Sequence, residues 1–232
     1  MIDRSLNYGR HLIQRFLREA GEYRRVLDCG AGLGADLMSA REIRPGAELH
    51  AVEVYPPYVE RLQAQGVTVH AVNLERDRIP LADGSVDVVI ANQVLEHTKE
   101  IFWIFHEISR LLPVGGHAVL GVPNLASLHN RLLLLLGRQP TAIQNATAHV
   151  RGYTRGDLLR VAERAFPGGY TQRNFGGSNF YPFPAAIARP LAATLPGMAW
   201  GIFLLLRKER EYNGEFLRYP REEQLETNFF LG

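Results

Sequence analysis

An α/β fold built around a mostly parallel sheet is what this chain predicts, on three observations. Short apolar runs rich in β-branched residues alternate with segments of helical period. Val88, Val89 and Ile90 are consecutive rather than alternating, so both faces of their strand have to be covered, as inside a doubly wound sheet. A glycine-rich turn follows the first strand and opens a helix, at the edge where open α/β sheets bind ligands.

In chain order, Ile2 to Glu19 reads as a helix and Arg25 to Cys29 (RVLDC) as the first strand. Helix Gly34 to Ile43 leads to strand Glu48 to Val54, and helix Pro57 to Gln65 to strand Val67 to Val72. Strand Val86 to Ala91 precedes helix Lys99 to Leu112, which Pro113 and the Gly115-Gly116 pair close before strand His117 to Val122. After Pro123 the rhythm changes. A segment from Asn124 to Arg138 holds five consecutive leucines, Leu132 to Leu136, and a polar loop then leads to a helix opened by Thr154 as N-cap. A strand at about Tyr170 to Phe175, a Gly-, Pro- and aromatic-rich stretch from Gly176 to Gly197 and a strand from Ala199 to Leu206 complete the set, followed by a charged tail from Arg207 whose end is expected to be poorly ordered.

Composition narrows the function. With 26 Lys and Arg against 24 Asp and Glu and 46% apolar residues, this is an ordinary globular chain, expected as one domain over 1–232 with insertions at 124–152 and 176–197. The single cysteine excludes a disulfide framework and a multi-cysteine zinc site, which favours a reduced, cytoplasmic location. Charges recur every few residues where a signal peptide needs an apolar core. Pro190 to Leu206, about 17 residues interrupted by Pro196 and Gly197, is too short for a membrane span. No block of like charge points to nucleic acid as a partner.

The chemistry starts at Asp28-Cys29-Gly30-Ala31-Gly32-Leu33-Gly34. Glycines there allow a tight turn and a close approach of ligand to backbone. The run also satisfies the dinucleotide pattern G-x-G-x-x-G/A, which keeps an NAD-dependent oxidoreductase open. Glu53, 23 residues after Gly30, ends the second strand and can accept from both hydroxyls of a ribose, in NAD or in an adenosine ligand.

Beyond the third strand come Asn73-Leu74-Glu75 and the block IPLADGSVDVVIANQVLEHTKEIFWIFHEISRLLPVGGHAVLGVPN, from Ile79 to Asn124. With the VLDCGAGLGAD turn before it, this succession resembles the class I S-adenosylmethionine-dependent methyltransferases, the large family that includes the ubiquinone and menaquinone biosynthesis enzymes. The likeness covers about Leu6 to Thr154. It implies a Rossmann-like seven-stranded sheet in the order 3-2-1-4-5-7-6 with the last strand antiparallel, and S-adenosylmethionine as cofactor. By that resemblance Asp28 and the backbone of Gly30 and Gly32 hold the methionine amine and carboxylate, Glu53 the ribose, and Asn73 and Leu74 the adenine. Asn92 and Gln93 line the floor below the sulfonium. The family commonly has Asp at position 73, and an Asn side chain still accepts from the adenine amine.

Methyl transfer is an in-line displacement, so alignment is the main demand, with a base needed for a hydroxyl acceptor. His97 and His149 qualify by location, ahead of Tyr153 and Arg151. His97 equally fits a role in fixing its own turn. His50, His70, His106 and His117 fall on periodic positions and read as packing or surface residues, Cys29 as a small buried packer. No histidine spacing predicts a metal site. A non-catalytic S-adenosylmethionine-binding protein is the other alternative.

The insertions are expected to form a cap. Leucines at 125, 128, 132 and 136 make an apolar stripe that Leu133 to Leu135 widen nearly all the way round, so something should cover that helix. Phe180, Tyr181 and Phe183 interleave with Pro182, Pro184 and Pro190 as a stiff aromatic wall. Such a cap suits a small-molecule or lipid-linked acceptor, with Arg131 and Arg138 placed for an anionic head group or for peripheral contact with a membrane surface. Equally, the two insertions could simply pack on each other.

Overall fold

A computed structural model describes residues 3–229 of the chain. Seven strands form one sheet: β1 (Arg25–Cys29), β2 (Glu48–Val52), β3 (Thr68–His70), β4 (Val88–Asn92), β5 (His117–Pro123), β6 (Tyr170–Ser178) and β7 (Gly201–Lys208). Their order is 3-2-1-4-5-7-6, with β1 to β5 parallel and β7 antiparallel to both its neighbours, as expected.

Alternation along the central strands explains the layering. Val26, Val88 and Ile90 face one side, where α1 (Arg10–Glu19), α2 (Ala35–Ile43) and α3 (Pro56–Ala64) bury Phe16, Leu37 and Leu62. Leu27, Val89 and Ala91 face the other, against Phe105 of α4 (Ile101–Leu111), Leu158 of α6 (Arg155–Ala165) and Phe216 of α8 (Glu215–Glu222). Thr154 caps α6 by accepting from the Asp157 N–H. The remaining helices, α5 (Leu128–Leu135) and α7 (Ala185–Thr194), follow the carboxyl ends of β5 and β6 and so lie at the edge of the sheet where ligands bind.

Several boundaries differ from the sequence expectation for identifiable reasons. Of the helix expected over Ile2 to Glu19, Ile2 lies outside the described residues. Arg4–Tyr8 is a 3₁₀ turn, and Gly9, at φ 55°, redirects the chain before α1 begins. A Cβ at Gly9 would lie 2.2 Å from the Phe203 ring, so close packing selects glycine there as well. The helix expected from Asn124 starts only at Leu128, because Asn124 is tied to the sheet edge through Nδ2 to the Gly197 and Ala199 carbonyls and Ser127 is the N-cap. The stretch from Gly176 is no loop: β6 runs on to Ser178. Gly176 and Gly177 lie where a Cβ would meet Leu12 and Ala199 at 2.7 and 2.6 Å, so their glycines mark close packing rather than a turn. The aromatic wall is instead α7 with a small core of Phe180, Ala188, Ala192 and Ala199, on which Leu128 packs. Of the charged tail, residues 215–222 form α8, and residues 230–232 lie outside the described residues.

The covered leucine helix is also corrected. α5 is anchored at its start but its later leucines face outward, Leu135 81% and Leu136 71% exposed, with Leu132 and Leu134 exposed too. Eight residues give the helix two turns, and its first turn supplies the buried Asn130 and the packing of Leu128.

One buried polar cluster fixes the connection between β3 and β4. Arg110 of α4 donates from Nε and Nη2 to both carboxylate oxygens of Glu107, each at 2.7 Å, and Glu107 also accepts the Ile79 N–H at 2.7 Å. Arg110 further donates to the Ile79 and Leu81 carbonyls and to Asp83. Both side chains are buried, so removing Glu107 leaves the Ile79 N–H without its acceptor and the guanidinium with only the exposed Asp83 as anionic partner. Glu107→Ala should therefore lower the unfolding free energy by about 3–5 kcal/mol in urea denaturation. A loss below about 1 kcal/mol would show the pair to be surface-like.

Candidate functional site

Strand order reverses at β1: β2 lies on one side and β4 on the other, and the connections leave over opposite faces of the sheet. A crevice opens at the carboxyl ends of β1 and β4. The turn after β1 enters it with Gly30, Gly32 and Gly34 at φ of 71°, 53° and 79°, a left-handed run that other residues rarely adopt. Val52 accepts the N–H of Gly30 at 2.8 Å, holding the turn against β2. A Cβ at Gly30 would lie 2.7 Å from Val94 and one at Gly34 2.6 Å from Leu62, whereas one at Gly32 would meet nothing within 4 Å. Gly32 thus faces open space, a cavity of about 450 Å³.

Asp28, Gly30, Gly32, Asn92 and Gln93, all expected in a binding site, line this cavity. Tyr8, Arg10, Asp36 and Tyr58 line it too and were not foreseen. Asp36 carried a usable signal, an acidic residue two positions past the third glycine in the first turn of a helix. Tyr8 and Arg10 belong to a segment that reads as ordinary helix.

The cavity wall is acidic and incompletely satisfied. Asp28 is 3% exposed, and burial, followed by the negative charges of Asp36 and Glu53, raises its carboxyl well above the usual range. Burial also raises Asp36, opposed by a hydrogen bond from Asn92 and by Arg10. Asn92 donates through Nδ2 to Asp36 at 2.7 Å and to the Tyr8 carbonyl at 3.0 Å, while its Oδ1 is buried without a partner. Gln93, at φ 58°, has a buried Nε2 that is likewise unpaired. Unpaired donors and acceptors at such a place leave hydrogen-bonding capacity for a ligand.

Glu53, Asn73 and Leu74 are not brought to the cavity wall. Glu53 braces the turn from behind, accepting the N–H of Gly32 at 2.9 Å through Oε2 and those of Val54 and Tyr55 at 2.9 Å through Oε1. Asn73 closes a local turn by accepting from the Glu75 N–H, and Leu74 packs against the main core. The third strand ends at His70 rather than at Val72, and Asn73 and Leu74 follow it into a turn.

Three and four residues past Gln93 the same loop reaches Glu96 and His97, and the structure brings His149 to them. The two imidazoles meet edge to face at 4.7 Å, each turning Nδ1 to a carbonyl, Ala148 for His97 (3.3 Å) and Ala142 for His149 (3.0 Å). Burial, then the neighbouring His149, lowers the His97 pKa. Glu96, 1% exposed, is pushed up to about 8 by burial. Tyr153 and Arg151 are engaged structurally, the phenol donating to the Leu95 carbonyl and the guanidinium to that of Lys99. His106 pairs with Tyr212 and His50 with His70. Cys29 is buried, which pushes its thiol up and suits a packing residue.

Residues 27–120 match the family model described as a methyltransferase domain. An uncharacterized methyltransferase of Mycobacterium sp. is 36% identical over 97 residues, 42% of this chain and 38% of the relative. The chain thus spans well under half the length of that relative. Among solved structures, the 1,6-didemethyltoxoflavin-N1-methyltransferase of Burkholderia thailandensis, with its substrate and S-adenosylhomocysteine bound, is 16% identical at a TM-score of 0.57. That match covers 87% of this chain and 78% of the other. A geranyl diphosphate methyltransferase in complex with S-adenosylmethionine is 16% identical at a TM-score of 0.56, covering 86% and 85%. At such identities the likeness is one of fold. Sheet order, glycine turn and family match agree: residues 27–120 match a methyltransferase domain, and the sheet is that of the S-adenosylmethionine-dependent methyltransferase structures it resembles.

Proposed function

We propose that this chain transfers a methyl group from S-adenosylmethionine to a small-molecule acceptor with a substantial apolar part. The observation that carries this reading is the acidic wall itself. Asp28 and Asp36 lie buried beside a glycine turn whose Gly32 is open to the cavity. An ammonium group favours the ionised form of these carboxyls and pairs with it, whereas the diphosphate of a dinucleotide disfavours that form. A ligand with a cationic amine fits this wall, and NAD does not.

In this reading Asp28 receives the methionine amine, and the backbone of Gly30 and Gly32 lets the carboxylate approach. Glu53 takes the ribose hydroxyls by exchanging its bond to Gly32 for them, and Asn73 and Leu74, which lie outside the cavity wall, have to move toward it to frame the adenine. Asn92 and Gln93 line the floor below the sulfur. The cofactor supplies a methyl group already activated by a sulfonium. What remains for the protein is to align the acceptor and exclude water. His97 and His149 stand on the acceptor side, and for a hydroxyl acceptor the imidazole of His149 removes the proton, since His149 arrives from the insertion rather than from the cofactor core.

The exposed leucines support the apolar part of the acceptor. Leu132, Leu134, Leu135 and Leu136 form an uncovered face at the ligand edge of the sheet, flanked by exposed Arg131 and Arg138. Apolar residues beside cations suit a lipid-linked acceptor in an anionic surface. The geranyl diphosphate methyltransferase among the fold neighbours bears a name of the same character, an apolar chain on an anionic head. No helix among the described residues is long and apolar enough to cross a membrane, so contact with a bilayer would be peripheral. The lone buried thiol is consistent with a cytoplasmic location.

Three outcomes test this reading. Glu53→Ala should weaken S-adenosylhomocysteine binding by about 1.5–3 kcal/mol in calorimetry, the range for hydrogen bonds to a charged group; unchanged affinity with an intact fold removes Glu53 from the site. For Asp28 the sign follows from its raised folded-state pKa. The folded protein holds a proton that the unfolded chain releases, so wild-type stability falls as pH rises above the ordinary carboxylate value of about 4. Asp28→Asn should therefore gain unfolding temperature on the ligand-free wild type between about pH 4 and neutrality, while losing S-adenosylhomocysteine affinity. A variant that gains nothing with pH would show Asp28 to be compensated in the wild type. Finally, the wild type should sediment with anionic liposomes more than a variant carrying Leu132→Gln and Leu136→Gln, and equal sedimentation rejects the lipid surface but not methyl transfer.

A further inference from the structure

We propose that Glu96, His97 and His149 form a site for one divalent transition-metal ion of the zinc type, on the acceptor side of the crevice. One ligand atom from each lies within 4.8 Å of the others, two imidazole nitrogens and a carboxylate oxygen. Zinc bonds to such atoms at about 2.0–2.2 Å, which puts tetrahedral ligands about 3.3–3.6 Å apart, so closure takes a shift of roughly 1 Å in side chains that share two loops. Sequence spacing hides the site, because His149 lies 52 residues beyond His97 and comes back only through the fold.

Two independent features point to an occupant. Oε2 of Glu96 is buried with no hydrogen-bond partner, a costly condition that a cation relieves. The imidazoles, in turn, are already oriented as metal ligands are. Each Nδ1 faces a backbone carbonyl and so carries the proton, which leaves the Nε2 lone pair free, the arrangement by which an outer hydrogen bond fixes the tautomer of a metal-binding histidine. The main chain holds the two loops together, because the N–H groups of Val150 and Arg151 both donate to the Glu96 carbonyl. Two imidazoles and one carboxylate suit zinc and its neighbours, not the all-oxygen shells of magnesium or calcium. Three protein ligands leave a fourth tetrahedral position for water or an acceptor oxygen.

The role of the ion rests on the methyltransferase reading, though the site itself does not. With the ion bound, Nε2 of His149 is a ligand rather than a proton acceptor. An acceptor hydroxyl on the fourth position would then lose its proton to solvent because the cation lowers its pKa.

Zinc titrated calorimetrically into metal-stripped full-length protein tests the proposal, with cobalt(II) absorption as a second readout. The expected result is one ion per chain, and weakening of at least about 10-fold in both Glu96→Gln and His149→Ala. His70→Ala, which breaks the separate His50–His70 pair, should bind as the wild type does. The cobalt spectrum should lack a thiolate band, since Cys29 is the single cysteine and is buried. S-adenosylhomocysteine affinity, measured on the same samples, reports the fold and the cofactor reading separately. Absence of stoichiometric zinc binding to wild type that still binds S-adenosylhomocysteine overturns the site, as does binding that survives Glu96→Gln. Zinc binding without S-adenosylhomocysteine binding would leave the metal site standing and sink the cofactor assignment.

Discussion

The reversal of strand order at β1 is the constraint on which the rest depends. Because β2 and β4 flank β1 and their connections leave over opposite faces, no helix crosses the carboxyl end of β1, and the backbone there is left open to a ligand. What that edge binds is then decided by a few side chains. Asp28 brings a buried carboxylate to the last turn of β1, α2 adds Asp36, and β4 delivers Asn92 and Gln93 with capacity unspent. Each lies on a regular element or at its end, so the positions are held by the same core that stabilises the sheet.

This arrangement trades stability for binding. Buried carboxyl groups held side by side, together with unpaired amide atoms, cost free energy in the ligand-free protein and return it when a complementary ligand arrives. The scaffold offsets the cost away from the site, through a core continuous on both sheet faces and the Glu107–Arg110 cluster that fixes the long connection into β4. The cap is organised differently. Its base is stitched by Asn124 and Asn130, and the Leu125 N–H donates to the Tyr153 carbonyl, yet its outer half exposes leucines. A glycine-turn half held by the core beside a sparsely anchored insertion is what variation in loops on a fixed scaffold produces.

Much of the fold was legible because the signals were local. Consecutive β-branched residues at 88–90 and glycines at 30, 32 and 34 specify a buried strand and a left-handed turn whatever surrounds them. The misreadings came where tertiary contact decided. Gly176 and Gly177 look like loop punctuation, but they are strand residues at a close approach to α1 and to Pro196. The leucines of α5 look like a core face, but the helix is too short and too peripheral to be enclosed. In the site, Asp28, Gly30, Gly32, Asn92 and Gln93 followed from strand ends, whereas Tyr8 and Arg10 come from a segment with no motif. That His97 and His149 would meet, and with Glu96 between loops 52 residues apart, is a property of the fold alone.

The central claim is that the crevice was built for a ligand with an amino-acid head and not for a dinucleotide. Thermal unfolding with S-adenosylhomocysteine and, separately, with NAD tests it most directly, because a ligand that binds only the folded state stabilises it by about 2.7 kcal/mol at 100 times its Kd. The account predicts a saturable rise in Tm with S-adenosylhomocysteine and none with NAD at the same concentrations. A rise with NAD and none with S-adenosylhomocysteine would contradict it.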